Sequence, residues 1–215
     1  SLDRLRPGPV LLWMFDHTKD EKYLQTARYV AHELDAQPKT SDGGYWHRST
    51  YPNQMWLDGI YMASPFYAQF GQVFNDPAAF DDVALQITLI EKHTRDPRTG
   101  LLYHGWDESK QQRWANPMTG CSPHFWGRAV GWYAMAIMDV LDYLPRDHAR
   151  RPDILAIFKR LVDALVSVQD RATGLWYQVL DQGARAGNYL EASGSCMFVY
   201  SIAKAVRQGG LARAY

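Results

Sequence analysis

QMWLDGIYMASPFYAQFG, residues 54–71, reads as a helix that is apolar on nearly every side: Met55, Trp56, Leu57, Ile60, Tyr61, Met62, Phe66 and Tyr67 leave no continuous polar stripe. A helix of that kind belongs inside a protein. The segment from Glu21 to Leu34 differs. Tyr23, Leu24, Ala27, Val30, Ala31 and Leu34 recur at i, i+3, i+4 and i+7, so that helix buries one face and shows the other to water. Between the two stands DGGYWH (42–47).

The same triplet returns twice. An amphipathic run from Ala78 to His93, then TGLLYH (99–104), precedes an apolar segment from Trp126 to Leu144. Pro152 to Gln169, then TGLWYQ (173–178), precedes Ser193 to Val206. In that third outer helix Ile154, Leu155, Phe158, Leu161, Val162 and Leu165 hold the apolar face. A Gly-aromatic turn at a recurring interval marks a repeated supersecondary unit. Outer helix, turn, inner helix, three times over, predicts an all-α fold of the α/α-toroid type. SLDRLRPGPVLLWMFDHT (1–18) reads as one further inner helix, which gives about three and a half hairpins in a single domain over 1–215, incomplete at both ends. An open ring of this kind is expected to expose apolar faces and to associate.

Breakers refine the pattern. Pro77 and Pro152 suit the first turn of an outer helix, and Pro145 follows an inner one. Pro65, inside 54–71, is expected to kink that helix or end its first half. Residues 207–215 read as a fraying end.

Twenty-three Lys and Arg balance twenty-three Asp and Glu, which removes the electrostatic signature of a nucleic-acid binder. No apolar run approaches membrane-spanning length and no leader pattern is evident, so neither a membrane nor a nucleic acid is expected as partner. Two cysteines cannot build a disulfide framework or a thiolate zinc site. HExxH, Walker, GxGxxG and GxSxG patterns are lacking, so no metal and no cofactor is expected. The unusual quantity is aromatic: eight Trp, thirteen Tyr and eight Phe make 13% of the chain. Many serve the core, but Trp and Tyr beside polar loops also stack on sugars.

Polar groups set in apolar surroundings carry the most information, because burying them is costly unless they are paired. In a toroid they gather at the starts of the inner helices, where free N–H groups favour an anion. Asp58, between Leu57 and Gly59, is either a carboxylate satisfied by the helix dipole or an acid held in a pocket. Asp3 reads equally as a helix cap or a second pocket carboxylate; two converging carboxylates would raise one another's pKa. Arg128, between Trp126 and Trp132, is a structural ion pair or a clamp on a ligand carboxylate. His47 and His104 share one repeat position, held by Gln178 in the third unit, and are packing signatures or site residues. The turn-rich loop 110–125 suits a pocket border. Cys121 within it reads as structural.

At these residues the sequence resembles the unsaturated rhamnogalacturonyl hydrolases, glycoside hydrolase family 105, related to the unsaturated glucuronyl hydrolases. The resemblance lies in YPNQMWLDGIYMASPFYAQFG (51–71), GLLYHGWDES (100–109), WANPMTGCSPHFWGRAVGWYAMAIMDVLDYLP (114–145) and GNYLEASGSCMFVYSIAKA (187–205). It implies a six-hairpin α/α barrel that removes a 4,5-unsaturated galacturonosyl residue from the non-reducing end of rhamnogalacturonan di- or oligosaccharides, in pectin breakdown and in the cytoplasm. The implied chemistry is hydration of the C4=C5 enol ether. Asp58 matches the general acid and Asp3 a second acidic residue. His104 and Arg128 match residues near the substrate carboxylate and sugar; Trp56, Trp126 and Trp132 match pocket aromatics, and His47 a further pocket residue. Two other readings stand beside it: an inverting toroid glycosidase using Asp3 and Asp58 as acid and base, and a sugar-binding piece without activity.

Overall fold

A computed structural model describes every residue except Ala214. The chain forms α1 (Gly8–Thr18), α2 (Glu21–Ala31), β1 (Gln54–Trp56), α3 (Leu57–Phe74), α4 (Pro77–Thr94), β2 (Gly105–Asp107), α5 (Gly127–Val140), α6 (Arg151–Ser167) and α7 (Ala192–Arg207). The inner helices pack in succession, α1 on α3, α3 on α5 and α5 on α7, while α2, α4 and α6 lie outside. Their sequences ask for this. Buried residues occupy nearly every turn of α3 and α5, from Leu57 to Gly71 and from Gly127 to Val140. In α6 only the Ile154, Ile157, Phe158, Leu161, Val162, Leu165 face is covered.

Local chemistry sets the helix ends. Asp20 and Asp76 cap α2 and α4 by accepting from the N–H groups of Lys22 and Ala78, and Pro77 fills the first turn of α4. The repeated turn is built alike in the second and third units. Asp96 accepts from the N–H and hydroxyl of Thr99, and Asp170 does the same with Thr173. Gly100 and Gly174 follow at φ of 75° and 73°, and Gly43 takes 98° in the first unit; residues with a Cβ rarely adopt such angles.

One hydrogen bond repeats three times and fixes the inner-helix starts. Leu2 N–H donates to the His47 carbonyl (3.0 Å), Leu57 to His104 (3.0 Å) and Gly127 to Gln178 (2.8 Å). The backbone at this position therefore holds the preceding inner segment in every unit, and the side chain is left for other work.

The structure corrects three expectations. Residues 1–18 are not one helix: a 3-10 turn, Leu2–Leu5, precedes α1, which restarts at Pro7 and Pro9. Helix α3 does not end at the buried Pro65 but continues to Phe74, because its packing against α1, α4 and α5 outweighs one lost amide bond. At the C-terminus, Leu211 and Tyr215 return to the body of the fold. Leu211 is buried, and the Tyr215 hydroxyl meets Asp163 and Lys159 of α6. The fold also holds a small two-stranded antiparallel sheet, with Met55 opposite Trp106. At the two ends of the arc, Val10 and Trp13 of α1 and Val199 and Tyr200 of α7 are exposed.

Candidate active site

The β1–β2 ribbon delivers chemistry to the start of α3. Trp56 ends β1 opposite Gly105 of β2, Asp58 sits in the first turn of α3, and His104 immediately precedes β2. Asp58 Oδ2 lies 2.9 Å from His104 Nε2. Both atoms are buried, yet neither makes a well-directed hydrogen bond, so each retains capacity for a ligand. Trp56, His104, Gly105, Trp114 and Ser122 line a cleft of about 310 Å³.

Aromatic rings enclose the pair. His47 stacks on one face of Trp56 at 4.7 Å and 11°, with Tyr51 also stacked on that indole at 5.1 Å. His104 is tilted against Trp56 at 5.3 Å and meets Trp126 edge-on at 5.0 Å. Arg128 lies over Trp126 at 4.7 Å, its guanidinium half-exposed and 3.7 Å from Glu191. Glu191 caps α7, taking the Ser193 hydroxyl and the Gly194 N–H. Burial opposes its ionisation, but these hydrogen bonds and Arg128 together hold its carboxyl below the ordinary value. The fit between α7 and α5 is tight here: a Cβ on Gly194 would stand 3.3 Å from Arg128 N, and 2.9 Å from the Glu191 carboxylate of its own cap.

Asp3 sits on the 3-10 turn beside this group. Its carboxylate pairs with Arg48 (2.6 Å) and takes the Ser1 hydroxyl, and it stands 3.6 Å from His47 Nε2. Each carboxylate thus has its own cationic or imidazole neighbour, and His47 lies within the influence of both. Trp132 is placed apart, tilted against Tyr61 at 4.7 Å and 33°, with Arg6 on that phenol. Cys121 is buried, donates to the His93 carbonyl and has its thiol pushed up by burial. The described residues form no cluster of three or more metal-ligating groups.

His47 is 3% exposed, and burial pushes its imidazole below the ordinary 6.5 against the pull of Asp3 and Asp58. The folded protein keeps this ring neutral where the unfolded chain takes up a proton. Stability is therefore present above about pH 6.5 and is lost as pH falls below it. Melting temperature is expected to drop from about pH 7 to about pH 5 more steeply in wild type than in His47→Gln; parallel curves would remove His47 from that dependence.

Trp114, Ser122, Tyr51, Arg48 and Glu191 join the site without having been singled out in the sequence. Trp114 and Ser122 come from the loop read as a pocket border. Glu191 is an uncommon cap, so its position before α7 carries little signal.

The profile of Glycosyl Hydrolase Family 88 matches residues 1–215. An unsaturated rhamnogalacturonyl hydrolase of Bacillus subtilis, YesR, is 32% identical over 98% of this chain and 58% of its own length. A protein of Agrobacterium fabrum, Atu3128, is 44% identical over 69% of this chain and 62% of its own. Among solved structures, a family 105 glycoside hydrolase of C. acetobutylicum superposes with a TM-score of 0.97 at 46% identity, over the whole chain and 59% of its own. The chain spans about three fifths of the curated relatives it matches. From end to end, it belongs to Glycosyl Hydrolase Family 88.

Proposed function

We propose that the protein releases a 4,5-unsaturated galacturonosyl residue from the non-reducing end of rhamnogalacturonan oligosaccharides by hydrating its C4=C5 bond. The observation that carries this reading is the half-buried Asp58–His104 pair, 2.9 Å apart, whose imidazole lines an indole-walled cleft. Protonating an electron-rich alkene needs a positioned acid in a site that restricts water. Asp58 gives its proton to C4 and the positive charge develops at C5. Water adds to C5 and returns a proton to the carboxylate. The resulting C5 hemiketal opens to a ketone, and the sugar breaks at C1, expelling the remaining chain as an alcohol. One water is consumed, and Asp58 ends as it began. Asp3, through His47 and Arg48, positions this machinery.

Arg128 takes the substrate carboxylate, with Trp126 under its plane and Glu191 at its edge. Arg128→Lys keeps the charge but loses the planar fork and the stacking. It is expected to raise KM by roughly tenfold with a smaller change in kcat; an unchanged KM would free Arg128 from that role.

The test follows ultraviolet absorbance of the unsaturated uronate during incubation with lyase-treated rhamnogalacturonan. Absorbance is expected to fall as shorter sugar appears. Hydrolysis of saturated oligosaccharides would support direct attack by an inverting glycosidase instead, and binding without either reaction would leave a sugar-binding protein. A cytoplasmic setting belongs to the same proposal and rests on the family resemblance; no described helix is long and apolar enough to cross a membrane.

A further inference from the structure

The repeat sets three pairs of side chains at equivalent places. Helices α3 and α5 each start after an extended Trp, Trp56 or Trp126, which lies opposite Gly105 in the second unit and Val179 in the third. The carbonyls of His47, His104 and Gln178 accept from the residues just before Asp3, Asp58 and Arg128. In the first unit Asp3 faces His47 at 3.6 Å, and in the second Asp58 faces His104 at 2.9 Å. The third unit reverses the charge. Arg128 stands where the others have a carboxylate, and Gln178 where they have an imidazole.

Gln178 is firmly held. Its N–H donates to the Tyr189 carbonyl at 2.8 Å, and the Tyr189 hydroxyl donates to Gln178 Oε1. Asn188 clasps the next residue: its Oδ1 accepts from the Val179 N–H at 3.1 Å, and its amide donates to the Val179 carbonyl at 3.0 Å. With Oε1 engaged, the half-buried Gln178 keeps two amide hydrogens that have no partner among the described residues.

We propose that Gln178 binds the uronate carboxylate together with Arg128, as a second and uncharged donor. The inference rests on the function proposed above. An ionised carboxylate offers about four lone-pair sites, and a guanidinium fork fills two of them. Arg128 is also shared, since Glu191 stands 3.7 Å away and takes part of its charge. A ligand carboxylate on Arg128 thus meets a second anion, and a nearby amide donor offsets that repulsion. An imidazole at this place would change its proton count near neutral pH, whereas the amide donates at every pH.

The experiment measures kcat and KM on an unsaturated uronyl disaccharide for wild type, Gln178→Ala and Gln178→Glu. Both variants keep the backbone bonds of residue 178, and Glu also keeps the side-chain shape and the acceptor for Tyr189. Gln178→Ala is expected to raise KM roughly tenfold with kcat within about twofold. Gln178→Glu, although isosteric, is expected to raise KM further, by roughly a hundredfold, because it sets a charge against the substrate's own. A structural role gives the opposite order, with Glu milder than Ala. That order, or a KM unchanged in either variant, overturns the proposal. If wild type does not hydrolyse the disaccharide, the hydration reading fails, and calorimetric binding of the same sugar decides. Affinity falling from wild type to Ala to Glu upholds Gln178 as a carboxylate donor; any other order, or no binding, refutes it.

Discussion

Replacing Asp58 by Asn is expected to lower turnover of an unsaturated uronyl oligosaccharide by about a thousandfold while leaving the melting temperature nearly unchanged. The amide is almost the same size as the carboxyl, and Asp58 is not a structural cap: Trp56, at the N-cap, has no side-chain cap bond, and Leu57 N–H is held by the His104 carbonyl. What Asn cannot do is give up a proton to carbon. His104 would keep its place against Trp56 and Trp126 through ring contacts. Asp3→Asn is expected to cost less, because Asp3 meets Arg48 and His47, whereas Asp58 stands against His104 of the cleft wall. Equal rates for wild type and Asp58→Asn would take Asp58 out of the acid role.

Lys204→Met is expected to carry the largest stability loss, about 3 kcal/mol in urea unfolding. Lys204 is mostly buried on α7, and its ammonium reaches Asp139 at 2.7 Å, Asp142 at 2.6 Å and the Tyr200 hydroxyl at 3.2 Å. The bonds to Asp139 and Asp142 tie α7 to α5 and to the turn that follows it. Burial works against the ammonium, yet the two carboxylates hold its pKa well above the ordinary lysine value. Methionine fills similar volume but leaves the Asp139 and Asp142 carboxylates without the ammonium that joins them. Adding Asp139→Asn to the Met variant is expected to restore part of the loss, since it removes one of them. If Lys204→Met unfolds at wild-type urea concentration, the pairing contributes nothing net.

Much of the fold was legible because its units repeat. Periodicity separated the amphipathic α6 from the apolar α3 and α5, and the Gly-aromatic turn announced each unit. What escaped was decided by contacts far apart in sequence. Pro65 looked like a breaker because its local cost is visible, whereas the packing that overrides it comes from helices elsewhere in the chain. Residues 1–18 read as one inner helix, whereas Pro7 and Pro9 restart α1 behind the short 3-10 turn that carries Asp3. The β1–β2 ribbon is three residues per strand, too short for alternation to show. Within the site, Asp58, His104 and Arg128 stood out as polar residues in apolar runs. Glu191 and Ser122 did not, since their importance comes from contacts with Arg128 and Gly105 that no local pattern announces. The position shared by His47, His104 and Gln178 proved informative in an unexpected manner. Its backbone bond is common to all three units, which leaves the two imidazoles to be explained by what surrounds them.

The chemistry is tested most directly by running the reaction on an unsaturated disaccharide in D₂O and following the early products by NMR. Hydration through Asp58 predicts loss of the vinylic C4 signal, a deuteron delivered to C4, and release of the second sugar in step with it. Release of a uronate that still carries its double bond, with no deuterium at C4, would contradict hydration and point to attack at the anomeric carbon.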